Sequence, residues 1–418
     1  MIFKRPKISD VFTPRRSEVN SNIYIARPNI EKEVRRSIEG SLHTLIFGNS
    51  GNGKSWLYKK VISDLNATCA IANCANAIRF DSITTEIVNT ILPKGSKELE
   101  TIEEEMSAEM SVVVAKSNLK SKRKYKIMSE DPLLSAYHVL RKKANGSLAV
   151  LVLDNMESII DNAKHMEELA NIIILCDDNR YSKYNVKILL VGVPSRILEY
   201  FSKVKNLPTV ANRIQEITEV SNFTETQVNA FVEVGFVRLL GVNIPNAVLE
   251  EWKSHIYNVT LGIPQRLHEY CEALAYILED NKWEATTELL QTADTNWCMQ
   301  GLRESYCVID SLMNDRETEI GRKNQVLYTM GKIKIHYFTS KHISDRLKKE
   351  FPNSTTGVTL AISKILTKLA SIEPSIIKKS TKGNCYEFTD PRYLMTLRAM
   401  LIKEKNEKII KRGFSIYQ

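Results

Sequence analysis

A short glycine-rich segment between an apolar run and a helical pattern restricts the possible folds of this chain more than any other feature. The segment fits the pattern G-x-x-x-x-G-K-[ST] and reads Gly48-Asn49-Ser50-Gly51-Asn52-Gly53-Lys54-Ser55. Residues 43–47 form a short apolar run typical of a buried strand, and residues 55–62 have apolar side chains at helical spacing. A strand, a glycine loop and a helix N-terminus are the parts of a phosphate-binding loop. The alternative is an ordinary glycine turn before a helix, which is less favoured because only 16 of the 418 residues are glycine.

The residue types of this segment suit a nucleoside triphosphate and a divalent cation. Glycines let the backbone wrap the phosphates, and N–H groups at the helix start face the anion. Lys54 is predicted to reach the β- and γ-phosphates, and Ser55 to hold Mg²⁺. We therefore predict ATP and Mg²⁺ as cofactors. The residues predicted to contact the nucleotide in this segment are Gly48, Asn49, Ser50, Gly51, Asn52, Gly53, Lys54, Ser55 and Trp56.

Length and composition limit the class of protein. A chain of 418 residues is long enough for two or three domains. No apolar run approaches the roughly 20 residues needed to span a bilayer, and the N-terminus lacks the apolar core of a secretory signal. The seven cysteines are an odd number without metal-ligand spacing, which favours reduced thiols. We expect a cytoplasmic protein without a membrane partner.

The net charge of +9 is concentrated towards the C-terminus. Residues 331–418 contain 18 Lys and Arg against 7 Asp and Glu, a net charge of +11, which leaves −2 for the rest of the chain. A basic region of this kind predicts a polyanion as its partner. A solvated lysine-rich surface is the alternative that the same composition allows.

Strand and helix patterns alternate over the first 220 residues. Beyond residues 43–47, strands are predicted at residues 68–73, 148–153, 186–193 and 214–220, with helices at 30–38, 82–92, 132–143, 164–177 and 195–201. This alternation indicates a doubly wound α/β domain with a parallel sheet. An acidic and then basic stretch at residues 93–130 is predicted to be an inserted charged hairpin. After residue 221 helices are predicted at residues 224–240, 247–257, 264–279 and 283–297.

The apolar run at residues 148–153 ends at Asp154, where a carboxylate can hold Mg²⁺ through water. Many P-loop ATPases have a glutamate directly after this aspartate, but here the position is Asn155. An asparagine can orient water but cannot take its proton at pH 7. Glu157 is a candidate base two residues further on. We therefore expect slow or partner-stimulated hydrolysis.

With the loop and Asp154 considered together, the chain resembles an AAA+ ATPase of the clade that includes origin-recognition initiators and ATPase regulators of transposition. The resemblance runs from about residue 20 to residue 405. It implies an ATPase core at residues 1–220, a helical lid at residues 221–300 and a C-terminal winged helix at residues 301–418.

Four further positions carry this resemblance. Arg27 lies in Tyr-Ile-Ala-Arg-Pro-Asn at residues 24–29, which resembles the clade's N-terminal box lining the adenine pocket. Ser195 lies where the clade has its first sensor. Arg213 resembles an arginine finger that reaches the nucleotide of a neighbouring subunit, with a surface arginine as the alternative. Arg266, in Gly-Ile-Pro-Gln-Arg at residues 262–266, resembles the second sensor of the lid, although its Gly-x-Pro also resembles STAND signalling ATPases. The residues predicted to act in hydrolysis are Lys54, Asp154, Asn155, Glu157, Arg213 and Arg266.

The C-terminal region resembles a winged helix. Helices are predicted at residues 344–351 and 355–369, the second with Val358 on its apolar face and Thr356 on its open face, followed by a hairpin at residues 376–388. Lysines on the open helix face and on the hairpin would contact duplex DNA. These predicted contacts are Lys364, Lys368, Lys378, Lys379 and Lys382. The alternative is that this domain packs on the ATPase core or on another protein.

Two functions remain open from the sequence. The first is an ATP-dependent switch protein that forms a homo-oligomer, binds duplex DNA and recruits or regulates another enzyme. The second is a STAND-like signalling or anti-phage defence ATPase, whose winged helix is autoinhibitory and which controls a partner effector protein. Salt-dependent binding to duplex DNA favours the first function. A stable complex with an effector and no affinity for DNA favours the second.

Overall fold

The computed structural model describes residues 5–92, 131–193, 207–313, 321–381 and 383–412. The predicted insertion at 93–130, the predicted helix at 195–201 with Ser195, and Lys382 lie outside the described residues. The chain divides into two compact units. The sheet unit contains Ser17–Val19 and Ala26–Ser221, and the helical unit contains Met1–Arg16, Asn20–Ile25 and Asn222–Gln418. The predicted division of the chain into core, lid and winged helix stays a prediction.

Among the described residues five strands form the sheet of the sheet unit: β1 (His43–Phe47), β2 (Thr68–Asn73), β3 (Ala149–Asp154), β4 (Val186–Val193) and β5 (Ile214–Glu216). Their spatial order is β2-β3-β4-β1-β5, and every neighbouring pair is parallel. Parallel pairing brings the carboxyl ends of all five strands to one edge of the sheet. The predicted α/β fold with a parallel P-loop sheet is confirmed.

The sheet is apolar on both faces. In β3, Leu151 and Leu153 belong to one buried hydrophobic cluster, whereas Val150 and Val152 belong to a second cluster. Successive side chains of a strand point to opposite faces, so a strand covered on both sides needs an unbroken apolar run. The apolar run at residues 148–153 is therefore the sequence signature of a central strand.

Helices connect these strands and cover the sheet. In chain order the first helices are α1 (Ile8–Val11, in the helical unit), α2 (Pro28–Glu39), α3 (Lys54–Asp64), α4 (Cys74–Phe80), α5 (Ile83–Ile91), α6 (Pro132–Ala144), α7 (Ala163–Leu175), α8 (Asn179–Ser182) and α9 (Leu207–Ala211). Several begin at side chains that accept a hydrogen bond from the first turn, as Asn73, Ser82 and Asp131 do. Such caps satisfy N–H groups that have no partner inside the helix, and they explain why α5 and α6 start near their predicted positions.

Strand β5 is shorter than the predicted strand at residues 214–220. Regular pairing ends at Glu216, but Ile217 and Val220 still donate backbone hydrogen bonds to the carbonyl oxygens of Leu45 and Phe47. The chain thus continues beside β1 after regular pairing has ended. This path brings Val220 to the glycine-rich loop.

The first part of the helical unit contains α10 (Glu225–Val232), a π-helical segment (Glu233–Leu239), α11 (Asn246–Thr260), α12 (Pro264–Asp280), α13 (Leu289–Gln300) and α14 (Arg303–Leu312). The predicted helix at residues 283–297 is wrong in its first six residues. Lys282 and Trp283 have left-handed φ angles of 53° and 65°, which end α12. Trp252 then donates from Nε1 to the carbonyl oxygen of Thr286 over 3.0 Å and holds the connecting residues outside a helix.

The last part of the helical unit contains α15 (Arg322–Gly331), α16 (Ser340–Glu350), α17 (Pro352–Thr355), α18 (Ile362–Ser371), β6 (Ile377–Lys379), β7 (Tyr386–Phe388), α19 (Pro391–Met400), β8 (Leu401–Lys403) and β9 (Ile409–Lys411). Strands β6 and β7 are antiparallel and form the predicted hairpin, and Phe338 forms an isolated bridge with Tyr386. Strands β8 and β9 form a second antiparallel hairpin, which was not predicted from the sequence. In the described ranges no helix is long and apolar enough to cross a membrane.

The single helix predicted at residues 355–369 is wrong. Residues 356–361 separate α17 from α18, and Gly357 and Ala361 have positive φ angles of 70° and 49°. Val358, predicted on the apolar face of that helix, is 52% exposed. Thr356 likewise lies before α18, so neither residue presents its side chain from that helix.

Candidate functional site

The glycine-rich loop joins the end of β1 to the start of α3. Gly48, Gly51 and Gly53 have φ angles of 139°, 81° and 83°, in the region that favours glycine. A Cβ atom at Gly48 would lie 2.5 Å from the carbonyl oxygen of Val220. The loop can take this course only with glycine at position 48, because the chain after β5 passes directly beside it.

Lys54 is the first residue of α3 and points back over the loop. Its Nζ donates to the carbonyl oxygens of Gly48, at 2.7 Å, and Asn49, at 3.0 Å. Burial lowers the pKa of Lys54, while the carboxylates of Glu157 and Asp154 oppose this effect. The ammonium group is thus held against the glycine-rich loop. A phosphate bound there would accept hydrogen bonds from Lys54 and from the backbone N–H groups that begin α3.

Two side chains tie the loop to the segment after β5. Asn52 is buried and donates from Nδ2 to the carbonyl oxygen of Val220 over 2.8 Å. Arg27 donates to the carbonyl oxygens of Asn52, at 2.9 Å, and Ser221, at 3.1 Å. Both residues were predicted to contact the nucleotide, and in the structure both brace the loop. Asn49 and Ser50 are exposed at its crest, and Trp56 is half-buried on α3.

Asp154 ends β3 and its carboxylate is held on both oxygens. Oδ1 accepts from the backbone N–H of Asn155 at 2.9 Å, and Oδ2 accepts from the hydroxyls of Tyr58 at 3.0 Å and Ser55 at 3.5 Å. Oxygen donors of this kind suit Mg²⁺. Among the described residues no group of three or more His, Cys, Asp or Glu could hold a metal ion. A divalent ion at Ser55 and Asp154 would therefore complete its coordination with phosphate oxygens and water, which fits the Mg²⁺–nucleotide expected here.

Asn155 and Glu157 follow Asp154 at the same edge of the sheet. Asn155 has a φ of 59° and donates from Nδ2 to Oδ1 of Asn73, the last residue of β2, over 3.0 Å. Glu157 is exposed in a short 3₁₀ turn, and a Cβ atom at Gly192 of β4 would lie 2.3 Å from its Oε2. Desolvation raises the pKa of Glu157 even though Lys54 lowers it. The structure thus brings Lys54, Ser55, Asp154, Asn155 and Glu157 together.

Comparisons with known proteins agree with this geometry. Residues 36–201 match the family model of the AAA domain. This part of the chain has the AAA-domain fold. The ORC2 protein of Aeropyrum pernix, solved with ADPNP and ADP, is 14% identical at a TM-score of 0.50 over 93% of this chain and 97% of that chain. A likeness at this identity supports the fold alone.

Two further solved structures are similar over most of their length. A Walker-type ATPase of Pyrococcus abyssi is 18% identical at a TM-score of 0.49, over 90% of this chain and 96% of that chain. Cdc6p of Pyrobaculum aerophilum is 13% identical at a TM-score of 0.44, over 94% and 96%. A comparison with curated proteins found no match.

Arg213 lies at the opposite edge of the sheet from the loop of the AAA domain. It directly precedes β5, whose first residue Ile214 pairs with His43 at the start of β1, whereas the loop follows the end of β1. Five residues of strand span about 16 Å. Arg213 donates from Nε to Asp177 at 2.6 Å and from Nη1 to the carbonyl oxygen of Thr209 at 2.6 Å.

Arg266 belongs to the helical unit, near the start of α12. Its guanidinium donates to Oε2 of Glu269 over 2.7 Å, and the Gln265 amide donates to Oε1 of the same carboxylate over 3.2 Å. Glu269 is one helical turn after Arg266, so the pair lies on one face of α12. The role of a second sensor stays a prediction for Arg266.

The described lysines predicted to contact DNA are all exposed: Lys364, Lys368, Lys378 and Lys379. Lys378 lies 3.6 Å from the carboxylate of Glu387 on the neighbouring strand. A groove of about 610 Å³ lies between α16 and α18, and its polar lining consists of Ser340, Lys341, Ser344, Lys348, Ser363 and Lys364. Lys341 and Lys348 were not predicted from the sequence, although their spacing of seven places both on one face of a helix.

Three residues of the sheet unit were not singled out from the sequence. Tyr58 and Asn73 contact Asp154 and Asn155, and Asp177 contacts Arg213. Only Tyr58 had a local signal, since it follows Ser55 by three residues and shares its helix face. Asn73 and Asp177 meet their partners through strand pairing and tertiary packing.

Proposed function

We propose that this chain binds ATP with Mg²⁺ at the loop between β1 and α3 and hydrolyses it slowly. The observation that supports this most strongly is the convergence of Lys54, Ser55 and Asp154 beside the loop. It joins a cation suited to phosphate oxygens with two oxygen donors suited to the metal. The match of residues 36–201 to the AAA domain supports the same function.

Each residue has a defined part in this proposal. Lys54 binds the β- and γ-phosphates, and backbone N–H groups of the loop and of the start of α3 bind the remaining oxygens. Ser55 and Asp154 hold Mg²⁺, which when bound neutralises charge on the phosphates. Arg27 and Asn52 keep the loop in its binding conformation through contacts to Val220 and Ser221.

Hydrolysis further requires a water molecule that is oriented and deprotonated. Asn155 can orient water through its amide oxygen, and Glu157 can accept the proton. Glu157 is exposed, and it stands three residues after Asp154 instead of directly after it. We therefore expect turnover near or below the low end of about 1 s⁻¹ for enzymes.

The test of this function is a Lys54→Ala variant compared with Lys60→Ala. Lys60 lies on the same helix and pairs with Asp64 at the surface, so its loss removes an equal charge away from the loop. We expect Lys54→Ala to abolish ATP binding or turnover, and Lys60→Ala to retain both. Equilibrium binding of a fluorescent ATP analogue and phosphate release measure the two properties. Unchanged affinity for ATP and unchanged turnover in Lys54→Ala would show that the loop between β1 and α3 is not the ATP site.

We also propose that the protein forms a homo-oligomer and binds duplex DNA through its C-terminal region. In this proposal the protein recruits or regulates another enzyme. Two observations support this. Arg213 lies at the edge of the sheet remote from the chain's own loop, which suits a contact with the nucleotide of another copy. The elements of the C-terminal region follow the order of a winged helix, namely α15, the bridged residue Phe338, α16, α18 and the β6–β7 hairpin. The described lysines that were predicted to contact DNA are exposed.

A STAND-like signalling ATPase remains the alternative, and one contact favours it. Arg398 on α19 is largely buried, and burial lowers its pKa to about 10. It donates to the carbonyl oxygens of Asn258 on α11, at 2.6 Å, and of Gly331 and Ile333, both at 2.7 Å. This contact packs the C-terminal elements on α11, which suits a winged helix that binds another part of its own chain. Purification from the native host distinguishes the two functions by what elutes with the protein, DNA or an effector.

A further inference from the structure

Tyr58 lies one turn after Ser55 on α3, and its side chain is fully buried. Its hydroxyl donates to Oδ2 of Asp154 over 3.0 Å. The same oxygen lies 3.5 Å from the hydroxyl oxygen of Ser55. The neutral hydroxyl of Tyr58 therefore contacts the Asp154 carboxylate at the oxygen nearest to Ser55. Ser55 and Asp154 are the two residues suited to the metal.

The position of Tyr58 is fixed by the core of the sheet unit. Its ring belongs to the buried cluster that contains Leu57 and Val61 of α3 and Val150 and Val152 of β3. A side chain packed in this way has few accessible rotamers. Its hydroxyl is therefore a donor with a fixed direction, in contrast to a mobile surface group.

Asp154 is held by fixed donors on both of its oxygens. The backbone N–H of Asn155 donates to Oδ1 over 2.9 Å, and Tyr58 donates to Oδ2. Together these two donors determine the plane of the carboxylate. A carboxylate so restrained loses less freedom when it coordinates a cation than one that rotates freely.

We infer that Tyr58 is a positioning residue, whose hydroxyl fixes the carboxylate of Asp154 in the orientation that receives the divalent cation bound with the nucleotide. This inference rests on the proposed binding of ATP with Mg²⁺. Tyr58 acts through Asp154 and is not a ligand itself. Its loss should change the Mg²⁺ requirement of nucleotide binding more than nucleotide binding without the metal.

The test is a Tyr58→Phe variant, which keeps the ring and removes the donor. Binding of a fluorescent ATP analogue is measured at equilibrium while Mg²⁺ is titrated, and again in excess chelator. We expect the half-saturating Mg²⁺ concentration to rise about five- to tenfold, within the range of the net contribution of one hydrogen bond. Binding in chelator should be unchanged. In turnover assays saturating Mg²⁺ should restore kcat, so that the defect lies in the apparent affinity for the metal.

Tyr137→Phe is the matched control. Tyr137 is also buried in the sheet unit, but its hydroxyl meets Sγ of Cys176 at 3.6 Å. This variant should keep the wild-type Mg²⁺ dependence. Thermal unfolding gives the temperature range in which Tyr58→Phe and Tyr137→Phe are both folded, and the Mg²⁺ titrations are made within that range.

The outcomes separate this inference from the proposed function. If the Mg²⁺ curve of Tyr58→Phe superimposes on that of the wild type, Tyr58 has no positioning role. An equal shift in Tyr137→Phe would assign the effect to general loosening of the core and would also overturn the inference. If the wild type itself binds nucleotide without any response to Mg²⁺, the proposed function fails first.

Discussion

Asn155 donates from its side-chain Nδ2 to Oδ1 of Asn73 over 3.0 Å, and so joins the ends of β3 and β2. The same Oδ1 accepts the backbone N–H of Ala75 at 3.0 Å, where Asn73 caps α4. Because the capping contact requires an oxygen on Asn73, the atom of Asn155 that faces it must be the donor nitrogen. The amide oxygen of Asn155 is therefore directed away from Asn73, where it can accept a hydrogen bond from water.

The first prediction concerns the base for hydrolysis. Asn155 cannot remove a proton, so Glu157→Gln should lower kcat about 10²-fold, within the range for loss of a general base. Nucleotide affinity should change little. Since the pKa of Glu157 is raised, wild-type kcat should fall with decreasing pH at higher pH values than for an ordinary glutamate. Steady-state kinetics across pH measures both effects.

Glu167→Gln on α7 is the control, since Glu167 is exposed and belongs to the same unit. It should leave kcat unchanged. If Asn155→Ala reduces kcat strongly and Glu157→Gln is silent, Asn155 is the residue that determines the rate and the assignment of the base is wrong.

The sequence predicted those parts of the fold that depend on local pattern. Strands β1 and β4 have their predicted bounds, because an apolar run that ends at a turn defines a buried strand without help from the rest of the chain. The pattern failed where backbone conformation overrides it. Gly357 and Ala361 interrupt the predicted helix with positive φ angles, and Lys282 and Trp283 delay the start of α13.

The same division applies to the candidate site. Lys54, Ser55 and Asp154 follow from motif spacing, and the structure brings them together. The partners of Asn155 and Arg213 could not be predicted, because strand order and tertiary packing decide them. Asn73 meets Asn155 since β2 and β3 are neighbours, and Asp177 meets Arg213 through the packing of residues far apart in the sequence.

The second prediction concerns Arg213, which the sheet places away from its own loop. In a mixture of Lys54→Ala and Arg213→Ala chains, one copy lacks the phosphate contact and the other lacks the finger. Mixed assemblies should recover part of the turnover that each variant lacks alone, since an intact site and an intact finger can meet. Arg213→Ala alone should lower turnover by about 10³- to 10⁵-fold at concentrations where the wild type assembles. Phosphate release against total protein concentration measures this.

Arg180→Ala is the control for Arg213→Ala. Arg180 is 65% exposed and pairs with Asp178, next in the sequence to the partner of Arg213. It should behave as the wild type. If turnover does not recover in the mixture and is independent of protein concentration, Arg213 is a surface arginine without a role at the nucleotide of another copy.

The third prediction concerns the stability of the helical unit at low pH. His268 is buried, accepts the backbone N–H of Thr13 at Nδ1 over 3.1 Å, and has its pKa lowered by burial to about 3 from 6.5. Below pH 6.5 the unfolded state binds a proton that the folded state excludes. His268 therefore leaves the free energy of unfolding at its full value above pH 6.5 and lowers it as pH falls towards about 3. This free energy should fall by up to about 1.4 kcal/mol per pH unit.

Urea unfolding followed by fluorescence of the buried Trp252 and Trp297 measures this effect. His268→Asn can keep an acceptor near Nδ1 without a titrating ring, so its free energy of unfolding should fall less between pH 7 and pH 5 than that of the wild type. His336→Asn changes an exposed histidine and should follow the wild type. Parallel pH profiles for wild type and His268→Asn would exclude His268 as a source of acid sensitivity.

The last prediction concerns the basic C-terminal region. Changing Lys378, Lys379 and Lys382 together to alanine should weaken binding to duplex DNA about equally across sequences, because lysines contact phosphates as point charges. The slope of log affinity against log salt should fall in magnitude by roughly one unit per lost phosphate contact. ATP turnover without DNA should be unchanged, since β6 and β7 belong to the helical unit and the loop to the sheet unit. Titration on random duplex at two salt concentrations measures these quantities.

The β8–β9 hairpin provides a control with the same loss of charge, through Lys405, Lys408 and Lys411 changed to alanine. If binding depended only on the net charge of the region, both triple variants would lose the same affinity and the same salt slope. A local contact through the β6–β7 hairpin requires the first variant to lose more. Wild-type affinity in the first variant would show that the β6–β7 hairpin does not contact DNA. No DNA binding by the wild type would favour the signalling ATPase, in which the C-terminal elements are tied to α11 through Arg398.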